Sequence, residues 1–157
     1  MKLYEINHLE SREIPNMIQI INNHFDYLHN YSDIVHNTNE ITNLLHSNEM
    51  IGLLLYDDAP TLAGYLFGKF MNLNDGRYVF CIYYFYVYPL YRRNKYGYQI
   101  LDTLLKSIQN NYGVNYVMLA CVRTNISAIK LYQKFNFIED SILSNSHDTI
   151  VLIRYSE

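Results

Sequence analysis

The chain has 157 residues and a formal net charge of −3 at neutral pH. Half of its residues are hydrophobic and 17% are charged. That balance excludes a disordered tail or a coiled coil, and the acidic excess argues against a general nucleic-acid binder.

Alternating segment types along the chain predict a mixed α/β fold. Lys2–Ile6 reads as a short strand. In Glu13–Asn23, Ile14, Met17, Ile18 and Ile21 recur at helical spacing, with Pro15 in the first turn. His24–Asn37 shows no clean period and reads as a loop or a broken helix. Thr38–His46 is a second helix, with Ile41, Leu44 and Leu45 facing inward. Met50–Tyr56, Thr61–Met71 and Tyr78–Tyr88 are strands joined by Asp57-Asp58-Ala59-Pro60 and Asn72–Gly76, which predicts an antiparallel meander. Tyr96–Asn110 is a helix with Leu101, Leu104, Leu105 and Ile108 in one stripe, stopped at Gly113. Val114–Val122 is a strand, and with Tyr78–Tyr88 and the helix between them it forms a parallel crossover. A helix over Ser127–Phe135 and closing strands near Phe137–Leu143 and Thr149–Tyr155 complete the chain. The length fits one domain over residues 1–157, able to bury roughly 68–70% of its unfolded surface without staples.

The longest uncharged apolar stretch, Val79–Tyr91, contains Pro89 and is short of the ~20 residues a membrane span needs. Met1–Glu5 lacks the apolar core of a signal peptide. Cys81 and Cys121 are therefore expected to be reduced thiols in a cytoplasmic protein. The six histidines show no metal-ligand spacing, so no metal site is expected. Seventeen tyrosines reflect codon usage and carry no functional weight.

Chemistry concentrates at the end of the third meander strand. Tyr86-Val87-Tyr88-Pro89 is followed by Tyr91-Arg92-Arg93-Asn94-Lys95-Tyr96-Gly97-Tyr98, where a helix begins. A helix N-terminus leaves amide hydrogens unpaired and carries partial positive charge, so it receives phosphate oxygens. Arg92, Arg93 and Lys95 add cations to the same turn, and Gly97 would let a ligand approach the backbone. On spacing alone the turn reads either as a diphosphate site or as a solvated basic turn. The absence of GxxxxGK[ST] excludes a P-loop. Further on, Asn125 or Ser127 caps a helix bearing Ala128 and Tyr132. Taken alone, Tyr132 reads as a core aromatic.

Together these elements resemble the acetyl-CoA-binding motifs of the GCN5-related N-acetyltransferase (GNAT) superfamily. The Val-x-Pro strand end is Val87-Tyr88-Pro89, and the Arg-x-x-Gly-x-Gly turn is Arg92–Gly97. The later Asn…Ala…Tyr…Gly-Phe pattern is Asn125, Ala128, Tyr132 and Asn136-Phe137. Three departures stand out: Arg93, Lys95 and Asn136 occupy positions where glycine is usual. The resemblance implies a mixed, mostly antiparallel sheet of six to seven strands flanked by about four helices, splayed between the strands from Tyr78 and from Val114. It implies that acetyl-CoA enters the splay. Backbone amides from Arg92 to Tyr98 hold its pyrophosphate, and the strand edge over Phe85–Tyr88 pairs with its pantetheine arm. It gives Tyr132 the role of general acid toward the leaving sulfur and Asn125 that of holding the arm or the helix turn. Amides near Tyr86–Val87 would polarise the thioester carbonyl.

The base that the family often carries on the strand matches Tyr83 or Tyr84, or Ala120 on the next strand, and none of these is acidic. Three options remain for the base: a water chain, a tyrosine, or an Asp or His of the Phe25–His36 loop, where Asp26, Asp33 and His36 are the candidates. The expected acceptor is a primary amine such as a polyamine, a lysine side chain or a peptide N-terminus. It would be held between His24–Asn37 and Ser144–Asp148. A non-catalytic acyl-CoA-binding protein is the alternative. No nucleic-acid or membrane partner is expected, and the chain is a monomer or a homodimer.

Overall fold

The computed structural model describes residues 1–28, 38–144 and 146–157. Its strands are β1 (Lys2–Ile6), β2 (Met50–Tyr56), β3 (Leu62–Asn72), β4 (Tyr78–Val87), β5 (Tyr116–Val122), β6 (Ile138–Glu139) and β7 (Thr149–Tyr155). Its helices are α1 (Ile14–Leu28), α2 (Thr38–His46), α3 (Tyr96–Tyr112) and α4 (Ile126–Lys134). The strands form one sheet in the order β1-β2-β3-β4-β5-β7-β6. Only β4 and β5 pair in parallel among the described residues.

Strand alternation divides the core into two layers. On one face, Leu66, Phe80 and Ile82 pack with Leu101, Leu104, Leu105 and Ile108 of α3 and Tyr132 of α4. On the other, Tyr65, Phe67 and Tyr84 pack with Met17 and Ile21 of α1 and Ile41, Leu44 and Leu45 of α2. Each buried leucine or isoleucine of these stripes contributes about 1.5–3 kcal/mol. α3 ends at Gly113, whose φ of 64° lets its amide return to the Ile108 carbonyl. Val114 bonds to the same carbonyl, so β5 starts two residues later than expected.

Two expectations need correction. Helix α1 runs on to Leu28 rather than breaking at His24. No glycine or proline interrupts 24–28, and in the sequence Phe25 and Leu28 continue the Ile21 spacing. The strand expected over Phe137–Leu143 shrinks to Ile138–Glu139. There Asp140 Oδ1 accepts hydrogen bonds from the Ile142 and Leu143 amides, both at 3.0 Å, and turns the chain away from β7.

A bulge lies at the centre of the sheet. Phe67 pairs with Tyr84 and Gly68 with Ile82, so Tyr83 is an extra residue in β4. Gly68 makes the bulge possible, because a Cβ there would stand 2.3 Å from the Cys81 carbonyl oxygen. The β4–β5 ladder ends at the same level, at Ile82↔Leu119.

Candidate active site

Beyond Ile82 and Leu119 the two central strands part. β4 continues against β3 as far as Val87↔Gly64, while β5 continues against β7 as far as Val122↔Thr149. The wedge between them exposes one edge of β4. The Tyr88 amide donates to Ala63 on β3 at 2.9 Å. By strand alternation the amides of Tyr86 and Tyr88 face β3, and those of Phe85 and Val87 face the open edge. The Val87 carbonyl accepts from Arg92 Nε at 2.9 Å. The edge therefore offers the Phe85 and Val87 amides, while Tyr86 and Tyr88 present their rings to the α1 layer.

The wedge leads to the start of α3. Pro89–Tyr91 makes a single 3-10 turn. Tyr91 anchors it by donating its hydroxyl to Asp57 Oδ2 at 2.5 Å. Arg93 and Lys95 then adopt φ of 65° and 63°. Lys95 is the N-cap residue of α3 and its side chain caps nothing. The first helical bond runs from the Gln99 amide to the Lys95 carbonyl, so the amides of Tyr96, Gly97 and Tyr98 precede the helix's own ladder. No acidic residue sits in this first turn. Alternating left-handed residues leading into a helix form a concave set of amide donors suited to phosphate oxygens.

The side chains of the turn divide the work. Arg92 lies back on β4, bonded to Val87 and 5.2 Å from the Tyr86 ring centroid. Asn94 Nδ2 donates to the Tyr91 and Arg92 carbonyls and staples the turn. Arg93 and Lys95 remain exposed at its rim. Gly97 faces the wedge: a Cβ there would stand 3.7 Å from Leu131, 3.8 Å from Val87 and 3.9 Å from Phe85. These are ordinary contacts, so Gly97 leaves space without serving a left-handed backbone. The Tyr98 ring lies 4.6 Å from Phe135, and Tyr96 packs against the α3 core layer.

Tyr132 spans the wedge from the α4 side. Its ring is 6.4 Å from Phe85 of β4 and 5.8 Å from Phe137. Burial, and secondarily the Cys121 thiol of β5, raise its phenol well above the usual range. It thus remains protonated at neutral pH, held between the two parted strands. Asn125 is the N-cap of α4 and its Oδ1 accepts from the Ala128 amide at 3.3 Å. Its oxygen therefore sets the first turn of the helix that carries Tyr132.

On the α1 face the structure adds two groups that sequence reasoning missed. His24 stacks on Tyr86 at 3.7 Å, meets Tyr88 edge-on at 5.0 Å, and its Nδ1 is 2.6 Å from the Tyr65 hydroxyl. Burial, with the Arg92 charge second, lowers its pKa to about 4. Glu40, in the first turn of α2, acts electrostatically on Cys81, Tyr83 and Tyr84 of β4. Burial and, among lesser charges, Glu40 push Tyr83 up to about 12. Neither position carries a local motif; each is placed by helix packing on the sheet. Asp33 and His36 lie outside the described residues, as does the side chain of Asp26. The acceptor groove expected over His24–Asn37 and Ser144–Asp148 lies partly outside them too.

Comparison with known proteins agrees with this geometry. A GNAT acetyltransferase from Staphylococcus aureus Mu50 superposes with a TM-score of 0.75 at 16% identity, covering 99% of this chain and 100% of that one. Arabidopsis thaliana NAA60 in complex with acetyl-CoA gives 0.68 at 13% identity, covering 98% of each chain. The ribosomal-protein-S18-alanine N-acetyltransferase from Escherichia coli gives 0.67 at 17% identity, covering 98% and 94%. No curated protein sequence matches the chain. The model of the acetyltransferase (GNAT) family matches residues 7–137. With that match over most of its length, on a splayed sheet of the same fold, this chain belongs to the GNAT acetyltransferase family.

Proposed function

We propose that the protein transfers the acetyl group of acetyl-CoA to a primary amine: a polyamine, a lysine side chain or a peptide N-terminus. The observation that carries this reading is the open β4 edge running into the amide-lined turn before α3. The residues present fit the cosubstrate: an unpaired strand edge, an anion-accepting turn with two exposed cations, and an apolar wedge. Acetyl-CoA supplies the acetyl group as an activated thioester. Arg93, Lys95 and the amides up to Tyr98 hold the pyrophosphate, and the Phe85–Val87 edge holds the pantetheine arm. The Val87 amide polarises the carbonyl. Tyr132 donates its proton to the departing sulfur, and Asn125 positions Tyr132 by capping α4.

The family's strand carboxylate is missing at Tyr83, Tyr84 and Ala120. Glu40, in the first turn of α2, is the carboxylate among the described residues whose charge is felt at both Tyr83 and Tyr84. We assign it the amine proton, taken as the nitrogen turns acidic on bonding. Glu40→Gln is expected to lower turnover about a hundredfold, with acetyl-CoA affinity unchanged. Unchanged turnover would remove Glu40 from the reaction.

The lost strand carboxylate also favours a second reading, a non-catalytic acyl-CoA binder. Calorimetry with CoA and thiol release from acetyl-CoA over an amine panel decide between them. Binding with release above hydrolysis supports the transferase, and binding without release the binder. Absence of binding overturns both.

A further inference from the structure

A second cavity, of about 210 Å³, opens at the far pole of the sheet. It is lined by Asn7 after β1, Asn48 and Glu49 leading into β2, the first residues of β2, Phe70 of β3, Tyr78 of β4, and Tyr112 and Val114 at the end of α3. The 17 residues of α3 separate it from the amide-lined turn by about 25 Å. It is therefore distinct from the acetyl-CoA wedge.

Its walls are aromatic with two amides, Asn7 and Asn48, and Glu49 is the one charged side chain lining it among the described residues. Phe70 forms the floor, with the Tyr78 ring parallel to it at 6.0 Å and the Tyr112 ring tilted at 5.1 Å. Phe70 is 9% exposed, but Tyr78 and Tyr112 are 43% and 40% exposed. Tyr78 and Tyr112 are thus open to solvent above Phe70, which belongs to the core. Glu49 stands at the rim, and the Tyr78 hydroxyl reaches its carboxylate only at 3.5 Å, the limit of a hydrogen bond. That leaves the carboxylate most of its acceptor capacity. Burial, and secondarily the Glu5 charge, raise the Tyr112 phenol, while Glu5 itself accepts a hydrogen bond from Ser107 outside the cavity. The C-terminal end of α3 adds partial negative charge, and no basic residue in its last turn compensates it. No lysine or arginine lines the cavity among the described residues.

Aromatic rings and a carboxylate with no ion-pair partner among the described residues together attract a cation that sheds water easily. A metal ion finds one carboxylate here and, among the described residues, no cluster of three His, Cys, Asp or Glu side chains, and an anion meets the Glu49 charge. We propose that this cavity binds a compact organic cation of the alkylammonium class, seated against Phe70, Tyr78 and Tyr112 and neutralised by Glu49.

Choline and its uncharged carbon isostere, 3,3-dimethylbutan-1-ol, separate charge recognition from apolar filling. In NMR titrations of the whole chain, choline is expected to shift the amides of Glu49, Tyr78 and Tyr112, and the isostere to bind about tenfold more weakly. Tyr112→Leu and Glu49→Gln, both at exposed positions, should each weaken choline binding at least about threefold with the far-UV spectrum retained. The proposal is overturned by any of three results: no shifts at these residues, equal binding of the two probes, or variants that bind choline like the unaltered protein.

Discussion

Arg93, Lys95 and Asn136 are the non-glycine residues with positive φ among those described, and each stands where the family resemblance expects glycine. The backbone has kept the left-handed turn while the sequence has exchanged the residue best suited to it. For an ordinary L-residue that conformation costs about 1–2 kcal/mol. Lys95→Gly is therefore expected to stabilise the ligand-free protein by about 0.5–1 kcal/mol, after the greater unfolded entropy of glycine is offset. Urea denaturation measures it, and an unchanged or lower midpoint would contradict the strain. What the exchange brings is an exposed cation at the rim of a turn lined with amide donors. Tyr132 is the converse case, a residue whose environment points to chemistry. Its hydroxyl has no hydrogen-bond partner among the described residues, so Tyr132→Phe should change stability by less than about 0.5 kcal/mol. We expect the same substitution to lower turnover at least about tenfold while acetyl-CoA affinity holds. A loss confined to stability would make Tyr132 a packing residue only.

At the scale of elements, β4 does the most. Its first half is paired on both sides, and its second half only with β3. The bulge at Tyr83 marks the change, so the sheet bends where the wedge opens. Hydrogen exchange should read this directly. The Phe85 and Val87 amides are expected to exchange fast in the free protein and slowly with acetyl-CoA, whereas the Tyr86 and Tyr88 amides stay slow in both. Equal protection of all four without ligand would mean that the edge is closed. Strand and helix positions were largely legible in the sequence, because apolar spacing reports burial directly. The stripe Leu101, Leu104, Leu105, Ile108 is buried as its period predicts. The ends were less legible. Asp140 stops β6 through a side-chain bond, and Val114 belongs to the cap of α3, neither of which alters hydrophobic spacing.

Across the whole molecule, the two layers carry different tasks. The α3–α4 layer forms the wedge, while the α1–α2 layer brings His24 and Glu40 to the opposite face of β4. His24 ties this packing to pH. The folded protein keeps it neutral down to about pH 4, whereas an unfolded chain protonates it near 6.5. Between those values the unfolded state binds more protons. Stability is therefore complete above pH 6.5 and falls as pH drops toward 4. His24→Gln should flatten that slope in denaturation series; an identical slope in both proteins would show that other groups cause it.

The sequence by itself determined the order of elements and, through its motif resemblance, the family, since these rest on local spacing: a strand end, a cationic turn, a helix start, and a capped helix bearing a tyrosine. Only the tertiary structure decided where β4 parts from β5, which amides of β4 face the opening, that Arg92 turns away from the turn, and that His24 and Glu40 reach the sheet. Those facts depend on register, on a bulge opposite Gly68, and on interactions between residues more than forty positions apart, such as the His24–Tyr65 hydrogen bond or the Glu40 charge felt at Tyr83. Local patterning carries no record of such pairings, because they form only when separate helices settle on the same face of one sheet.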